Sequence, residues 1–425
     1  MTSVPLKRVA AVIVSNVDKK STDGEWPVRL CNYTDVYYHE SITAEMPFME
    51  ATATKDQVVR FGLRAGDVLI TKDSETADDI AVPAYVTEDL PDVVCGYHLA
   101  ILRPYPDVGG RYLFWALSST PCRQQFSVAA SGVTRFGLRY ETFGDVLVSL
   151  PSLLRQRVIA DYLDNETARI DALIAKKRQM IALLDERGMS VMADGVSGRL
   201  TSDVVVPSSL PWLETRGPEW REVKLSLVAR LGSGHTPSRD HPEWWLECSI
   251  PWITTGEVAQ MRSDRIEFIH ETREKVSALG VANSAAEVHP AGTVVLCRTA
   301  SAGYSAIMGS DMATSQDFAT WTCGPLLRPR FLLLCLRVMR QDLLGRLAMG
   351  STHKTIYMPD IQALRIPLPT VAEQGAIVDA VWSRLRHLHR LIDSLERQVD
   401  LLTERRQALI TAAVSGEMDV PGLAA

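Results

Sequence analysis

Apolar residues recur every seven positions near the end of the chain. One apolar set comprises Val381, Leu388, Leu395, Leu402 and Leu409, and a second set between them comprises Val378, Leu385, Ile392 and Val399. A seam sustained over about four heptads predicts a long helix that packs against another helix. The pattern follows Leu368-Pro369, after which Thr370 can cap the first helical turn.

The same pattern occurs 218 residues earlier. Leu150, Pro151, Gln156, Ile159 and Asp161 correspond to Leu368, Pro369, Gln374, Ile377 and Asp379, and both copies end in Val-Ser-Gly. The earlier seam is interrupted by Glu166, Lys177 and Arg187, and we expect Gly188 and Gly195 to weaken its end. Each copy predicts a helix of roughly 40 to 45 residues, about 60 to 68 Å long. The other copy is the best packing partner, although two ordinary core helices of an all-α domain are the alternative.

The blocks before each helix resemble each other faintly. "VRLCNYTDV" (28–36) is similar to "IPWITTGEV" (250–258), and "RAGDVLITKDS" (64–74) is similar to "PAGTVVLCRTA" (290–300). Short β-branched runs bounded by Gly and polar turns predict strands. The fold class is therefore α+β, with twisted sheets in two globular domains and a pseudo-twofold repeat. The predicted boundaries are residues 1–150 and 201–368 for the domains, and 151–200 and 369–425 for the helices.

The amino-acid composition is that of a globular protein, but it does not indicate a function. An apolar content of 46% and a charged content of 23% are typical of a globular protein that forms a core. No stretch predicts a signal peptide or a membrane span, so we expect a cytoplasmic protein with no membrane partner. The seven cysteines are scattered without metal-binding spacing, which favours reduced core thiols.

The net charge of −6 argues mildly against a polyanionic partner, yet two segments are locally basic. Residues 99–140 hold five arginines and residues 321–366 hold six arginines and Lys354, against one and two acidic residues respectively. The two segments occupy equivalent positions in the repeat, and arginine suits both phosphates and guanine edges. We therefore favour DNA binding, while any single arginine could equally well solvate a helix face.

The sequence offers little for catalysis. It has no Gly-Lys dipeptide and hence no P-loop, and no H-E-x-x-H, G-x-S-x-G or Rossmann glycine motif. His387 and His389 are two residues apart on a predicted helix and face different sides, so they predict no metal pair. The acidic run at 71–79 could suggest a nuclease, but a solvated loop is the better interpretation.

The order of the elements resembles the specificity subunit of type I restriction-modification systems. The resemblance rests on the two Leu-Pro-x-x-x-x-Gln-x-x-Ile helices, each with Ile-Asp-x-Leu and a closing Val-Ser-Gly, and it covers essentially the whole chain. It implies two target-recognition domains on an antiparallel helical pair, each reading half of a split double-stranded DNA target. It also implies two docked methyltransferase subunits that bring S-adenosylmethionine, and restriction subunits that bring ATP and Mg. No cofactor would bind this chain.

Candidate residues follow from this interpretation. The expected DNA-binding residues lie at strand ends and in the basic loops: Lys72, Ser74, Thr134, Arg135, Arg139, Arg298, Thr299, His353 and Lys354. The expected partner-binding residues lie on the helical pair: Gln156, Ile159, Ile170, Leu173, Gln374, Ile377, Ile392 and Leu395. Two other functions stay open, namely a coiled-coil adaptor that binds proteins and a stand-alone DNA-modifying enzyme.

Overall fold

A computed structural model describes residues 2–350 and 354–422. The chain forms two compact units. Unit 1 comprises the residues up to Arg178 and those from Arg397 onward, and unit 2 comprises Gln179–Glu396. The units do not follow the four consecutive segments expected from the sequence, because each long helix contributes residues to both.

Unit 1 is built on two sheets. The five-stranded sheet has the order Ala10–Val14, Leu99–Pro104, Val68–Thr71, Pro83–Val86 and Ser41–Ile42. The four-stranded sheet has the order Met49–Ala53, Trp26–Cys31, Leu90–Cys95 and Gly62–Leu63. Two strand pairs complete the unit, Ser3–Pro5 with Leu147–Ser149 and Asp73–Ser74 with Phe136–Gly137. The shorter α-helices are Tyr33–Tyr37, Lys55–Phe61, Gly110–Ser118, Thr120–Ala129 and Tyr140–Asp145.

Unit 2 repeats this plan. Its five-stranded sheet has the order Ala229–Ser233, Phe318–Cys323, Val294–Cys297, Ser305–Met308 and Phe268–Ile269. A three-stranded sheet has the order Glu274–Val276, Ile250–Ile253 and Ala313–Thr314. Three pairs are Arg221–Lys224 with Arg365–Leu368, Thr299–Ala300 with Lys354–Thr355, and Val206–Pro207 with Thr215–Arg216. The shorter α-helices are Val258–Met261, Ala278–Ala282, Pro329–Asp342 and Met358–Gln362.

The five-stranded sheets of the two units have the same topology. In each, the central strand is antiparallel to both neighbours, and the last strand runs parallel to the strand beside it. The central strands, Val68–Thr71 and Val294–Cys297, fall in the two stretches whose similarity predicted equivalent strands. Both read as continuous apolar runs because both faces are buried. The predicted α+β class and the internal repeat are confirmed.

Two long helices, Leu153–Val196 and Val371–Ser415, carry the heptad seams. In unit 1 their segments run antiparallel, since Asp171 pairs with Arg406 and Lys177 donates to Gln398. The apolar side chains of this pairing join the main core of unit 1, and they include Ile159, Leu163, Ile410 and Val414. Lys177, which interrupts the apolar seam in the sequence, therefore makes a contact across the pair.

In unit 2 the segments of the two long helices are also antiparallel. A Cβ added at Gly195 would lie 2.5 Å from Val381 Cγ2, and one added at Gly188 would lie 3.5 Å from Leu385 Cδ2. The helix continues through both glycines to Val196. At Gly195 the missing side chain lets two buried β-branched residues, Val381 and Ile377, pack against the helix backbone.

The repeated glutamines are anchors at the start of each long helix. Gln156 is buried; its Oε1 accepts from the Gly109 amide at 2.8 Å, and its Nε2 donates to the carbonyls of Asp107 and Pro151. Gln374 does the same with the Arg328 amide and the carbonyls of Leu326 and Pro369. Each glutamine thus ties its helix to the loop that precedes a core helix of its own unit.

The stretch 203–223, which has no counterpart before the first domain, forms a small hairpin in unit 2. Leu210, Leu213 and Trp220 are buried in the main core of that unit. The repeated fold itself resumes at Arg221–Lys224, whose pairing with Arg365–Leu368 matches that of Ser3–Pro5 with Leu147–Ser149. Among the described residues, no helix combines the length and apolarity needed to cross a membrane.

Candidate nucleic-acid interface

In unit 1 a loop folds back onto the end of the central strand. Phe136 and Gly137 pair with Ser74 and Asp73, directly after Val68–Thr71. Gly132 makes the turn possible, because a Cβ there would lie 1.9 Å from the Arg135 carbonyl oxygen. The pairing brings the loop residues Thr134 and Arg135 close to the strand end, although 60 or so residues separate them in the sequence.

Asp73 organises the charges at this strand end. Its Oδ1 accepts from Arg135 Nη2 at 2.5 Å, and its Oδ2 lies 2.6 Å from His98 Nδ1. The Asp73 side chain is 16% exposed, whereas that of Arg135 is 58% exposed. Lys72 Nζ lies 5.7 Å from the centre of the Tyr97 ring, which is a cation–π contact. The strand end therefore presents two cations, one of them fixed by a largely buried carboxylate.

An open cavity of about 470 Å³ adjoins Arg135, and tyrosines line much of it. Tyr33 and Tyr37 stack with their ring centres 5.3 Å apart, and Tyr38 is largely exposed. A hydrogen bond to Asp79 raises the pKa of Tyr37 to about 12. These tyrosines are not among the residues predicted from the sequence, although three tyrosines within six positions after a strand are a visible signal.

Unit 2 builds the equivalent feature with different side chains. Thr299 and Ala300 follow the central strand and pair with Thr355 and Lys354. Thr299 Oγ1 donates to Asp317 Oδ1 at 2.5 Å, and Arg298 Nε donates to the Gln316 carbonyl at 3.0 Å. Lys354 is exposed, and its Nζ lies 3.2 Å from the Leu344 carbonyl. A threonine thus occupies the position at which unit 1 has Asp73.

The expected DNA-binding residues gather at these two strand ends. Lys72, Thr134 and Arg135 lie together in unit 1, and Arg298, Thr299 and Lys354 lie together in unit 2. Ser74 is buried with 4% exposure, and it lines the open cavity beside Arg135. Arg139 is exposed at the start of the helix Tyr140–Asp145. His353 lies outside the described residues.

Most arginines of the two basic segments are paired internally with acidic side chains. Arg103 pairs with the buried Asp67 at 2.7 Å, and Arg111 pairs with Asp164 at 2.8 Å. Further internal pairs join Arg330 to Glu267, Arg340 to Asp264 and Arg346 to Asp342. The number of arginines free to bind phosphates is therefore smaller than the local charge of the two segments indicates.

Arg337 is the clearest such case. Its side chain is fully buried, and it donates to the carbonyls of Asp264 and Ile266. Burial lowers the pKa of Arg337 to about 10, an effect that the nearby Asp264 carboxylate opposes. Arg337 therefore connects the helix Pro329–Asp342 to the connection that precedes the edge strand Phe268–Ile269.

The expected partner-binding residues mainly form the helical pair itself. Ile159, Ile170, Ile377, Ile392 and Leu395 are buried, as are the two anchoring glutamines Gln156 and Gln374. Leu173 differs, because 48% of it is exposed. Of the eight residues, therefore, Leu173 alone presents a substantial surface to another protein.

The described residues contain no group of three or more His, Cys, Asp or Glu side chains that could hold a metal ion. All seven cysteines are free thiols, as the sequence predicts, and five of them are buried. Burial raises the pKa of the Cys297 and Cys323 thiols to about 12, and it raises those of Cys31, Cys95 and Cys335 as well. Neutral buried thiols are poor nucleophiles.

These features define a class of protein: a duplicated α+β chain with two unlike strand-end sites and a pair of long antiparallel helical segments. Residues 218–398 match the model of the family described as type I restriction modification DNA specificity domain. The predicted resemblance to the specificity subunits of type I restriction-modification systems is confirmed.

Two relatives and one solved structure illustrate the likeness. The chain is 24% identical over 301 residues to the type I restriction enzyme EcoBI specificity subunit of Escherichia coli, over 68% of this chain and 62% of that protein. It is 25% identical over 187 residues to the MjaIX specificity subunit of Methanocaldococcus jannaschii, over 43% and 41% of the two chains. The matches thus span less than two thirds of these relatives.

A chain of a solved type I R-M system, described in terms of complex assembly and conformational transition, has a similar fold. The TM-score is 0.71 with 18% sequence identity, and the superposition covers 98% of both chains. This likeness extends the match in fold beyond residues 218–398 to unit 1.

Proposed function

We propose that the protein is the DNA-recognition subunit of a type I restriction-modification complex and that it reads a split, asymmetric target in double-stranded DNA. One observation carries the proposal: each unit folds a loop back onto the end of the same central strand, but with different side chains. Unit 1 presents Lys72, Thr134 and Arg135 there, whereas unit 2 presents Arg298, Thr299 and Lys354. Equivalent frames with unlike residues suit two half-sites of different sequence.

The catalytic work falls to partners in this proposal. The chain would recruit methyltransferase subunits, which bring S-adenosylmethionine, and in a restriction complex also subunits that use ATP and Mg. Exposed apolar side chains on the long helices support such docking, because they lie outside the cores. In unit 1 these are Leu154, Leu173 and Leu401, and in unit 2 they are Met180, Leu183 and Leu391.

The decisive experiment combines the purified chain, its methyltransferase subunits, S-adenosylmethionine and a library of random duplexes, followed by mapping of methylated sites. We expect methylation confined to one asymmetric bipartite sequence. Omission of this chain should abolish it. Methylation by this chain alone would indicate a stand-alone enzyme, and methylation without sequence preference in the complex would indicate a protein-binding adaptor.

Partner docking has its own test. Leu401→Glu should reduce copurification of the methyltransferase subunits, because it places a carboxylate in an apolar contact. Ala175→Glu, which adds the same single negative charge at an exposed position of the other long helix in unit 1, is the matched control. If both variants retain the partner equally, the exposed leucines are not its docking surface.

A further inference from the structure

Arg135 combines exposure with a fixed orientation. One terminal nitrogen, Nη2, bonds to Asp73 Oδ1 at 2.5 Å and lies 3.3 Å from His98 Nδ1. No described residue accepts a hydrogen bond from its Nε or Nη1, and more than half of the side chain is exposed. The guanidinium is therefore held at one corner while its other donors face solvent.

The carboxylate that holds Arg135 is itself held. Asp73 lies in the strand pair with Phe136–Gly137, and its second oxygen contacts His98 at 2.6 Å. Little side-chain entropy remains to be lost when the guanidinium binds a ligand, because its plane is already set. A preset fork matches the O6 and N7 acceptors of guanine in the major groove, where hydrogen-bond direction determines discrimination.

The same carboxylate makes Arg135 a poor choice for a phosphate. Asp73 largely neutralises the guanidinium, so bringing the pair near a phosphate would release few counterions. Arg139 has the opposite properties, since it is exposed and has no ion-pair partner among the described residues. Two arginines four residues apart are thus suited to different tasks.

We infer that Arg135 is the residue of unit 1 that determines specificity for a guanine in its half-site, with Asp73 as its positioning residue, and that Arg139 contacts a phosphate. This inference rests on the proposed function of DNA recognition. It goes further, because it names the base that is read and divides readout from charge neutralisation.

The test uses the complete complex with its methyltransferase subunits and a library of site variants. Arg135→Lys keeps a cation beside Asp73 but loses the fork. We expect the preference for guanine at one position of one half-site to fall by roughly 5- to 150-fold, with the slope of log affinity against log salt unchanged. Arg139→Ala should weaken binding to all sequences alike and reduce that slope by about one.

Chemically altered DNA separates a direct contact from a structural role of Arg135. Replacing the guanine with 7-deazaguanine removes the N7 acceptor, which should weaken binding by the unaltered protein several-fold and have little further effect on the Arg135→Lys variant. Asp73→Asn should lower guanine discrimination and steepen the salt dependence, because the freed Arg135 can then reach phosphates. Equal losses with 7-deazaguanine in both proteins, or retained guanine preference in Arg135→Lys, would overturn the inference.

Failure of the inference is distinguishable from failure of the proposed function. If the unaltered complex shows no sequence-dependent methylation, DNA recognition by this chain is wrong. If the complex methylates a bipartite site whose unit 1 half contains no guanine sensitive to Arg135→Lys, recognition stands and the role of Arg135 is wrong.

Discussion

Arg265 donates to Asp393 of the second long helix at 2.6 Å, and its other terminal nitrogen lies 3.2 Å from Glu396. It lies on the connection between the short helix Val258–Met261 and the edge strand Phe268–Ile269 of unit 2. Ion pairs between one cation and two carboxylates therefore link the connection before this edge strand to the helical segment of unit 2.

Unit 1 also has an ionic contact between the residue before its edge strand and a long helix, but with the charges exchanged. Glu40 precedes the equivalent edge strand and pairs with Arg406 of the second long helix, which also pairs with Asp171 at 2.9 Å. Arg406 is 18% exposed and lies 5.8 Å from the centre of the Trp115 ring. Each unit therefore links the connection before its edge strand to the second long helix by ion pairs, with the cation on the connection in unit 2 and on the helix in unit 1.

Replacing Arg406 with alanine should destabilise unit 1 more than replacing Glu40. The Arg406 variant loses two ion pairs and a ring contact, for which we expect about 1 to 2 kcal/mol, whereas the half-exposed Glu40 should contribute less than about 1 kcal/mol. Hydrogen exchange of the amides around Ile410 and Val414 measures the effect. Arg405→Ala, an exposed neighbour, is the control, and a loss as large as that of Arg406→Ala would contradict the argument.

The two glycines of the first long helix should respond in opposite directions to alanine. At Gly195 the new Cβ would lie 2.5 Å from Val381 Cγ2 and 3.3 Å from Ile377 Cγ2, so we expect a loss of about 1 to 3 kcal/mol. At Gly188 the nearest atom would be 3.5 Å away, and the higher helix propensity of alanine should stabilise unit 2 by up to about 1 kcal/mol. Urea unfolding of the two variants makes the comparison, and a destabilised Gly188→Ala would show that the helices are packed more tightly there.

These two glycines also show which structural features could be predicted from the sequence and which could not. Helix propensity treats Gly188 and Gly195 alike, because it contains no information about the helix across the seam. The seams and the strands were predictable, since their periodicity lies within one stretch of chain. Lys72, Thr134 and Arg135 were predicted as DNA-binding residues, but their proximity was not. No sequence pattern shows that the loop returns to the end of the strand.

Local charge overstated the number of unpaired arginines for a similar reason. Arg340 pairs with Asp264, 76 residues away, and Arg103 pairs with Asp67, 36 residues away. A window that counts basic and acidic residues cannot include such partners, so internally paired arginines counted as free ones. The tyrosines beside Arg135 were missed because they belong to a short helix that is remote in sequence from the basic segment.

Stability of unit 2 should decrease in mildly acidic solution. Burial lowers the pKa of His289 below its ordinary value of 6.5; Glu287 opposes this effect and Arg230 adds to it. Below pH 6.5, His289 takes up a proton more readily in the unfolded chain than in the folded unit. Its contribution to the free energy of unfolding is therefore complete above that pH and is lost as the pH decreases. The midpoint of urea unfolding between pH 7.5 and 5.5 should show this loss.

Two variants isolate the contribution of His289. His289→Gln removes the titrating group, so its pH dependence in this range should be flatter than that of the unaltered protein. His387→Gln, at an exposed position, should leave the dependence as it was. An unchanged slope for His289→Gln would assign the acid sensitivity to another group.

The anchoring glutamines should be among the most sensitive positions outside the apolar cores. Gln156→Leu would leave the Gly109 amide and the carbonyls of Asp107 and Pro151 without their partner, and we expect a loss of about 2 to 4 kcal/mol in unit 1. Gln156→Glu keeps the acceptor for the Gly109 amide but donates nothing and buries a charge, so it should be no better. Gln374→Leu should have the same effect on unit 2, since its three bonds are equivalent.

Gln125, a partly exposed glutamine that bonds to Leu147, is the control, and Gln125→Leu should cost less than about 1.5 kcal/mol. Hydrogen exchange resolved to each unit would reveal the outcome, and similar losses at all three positions would mean that the duplicated glutamine has no special structural role.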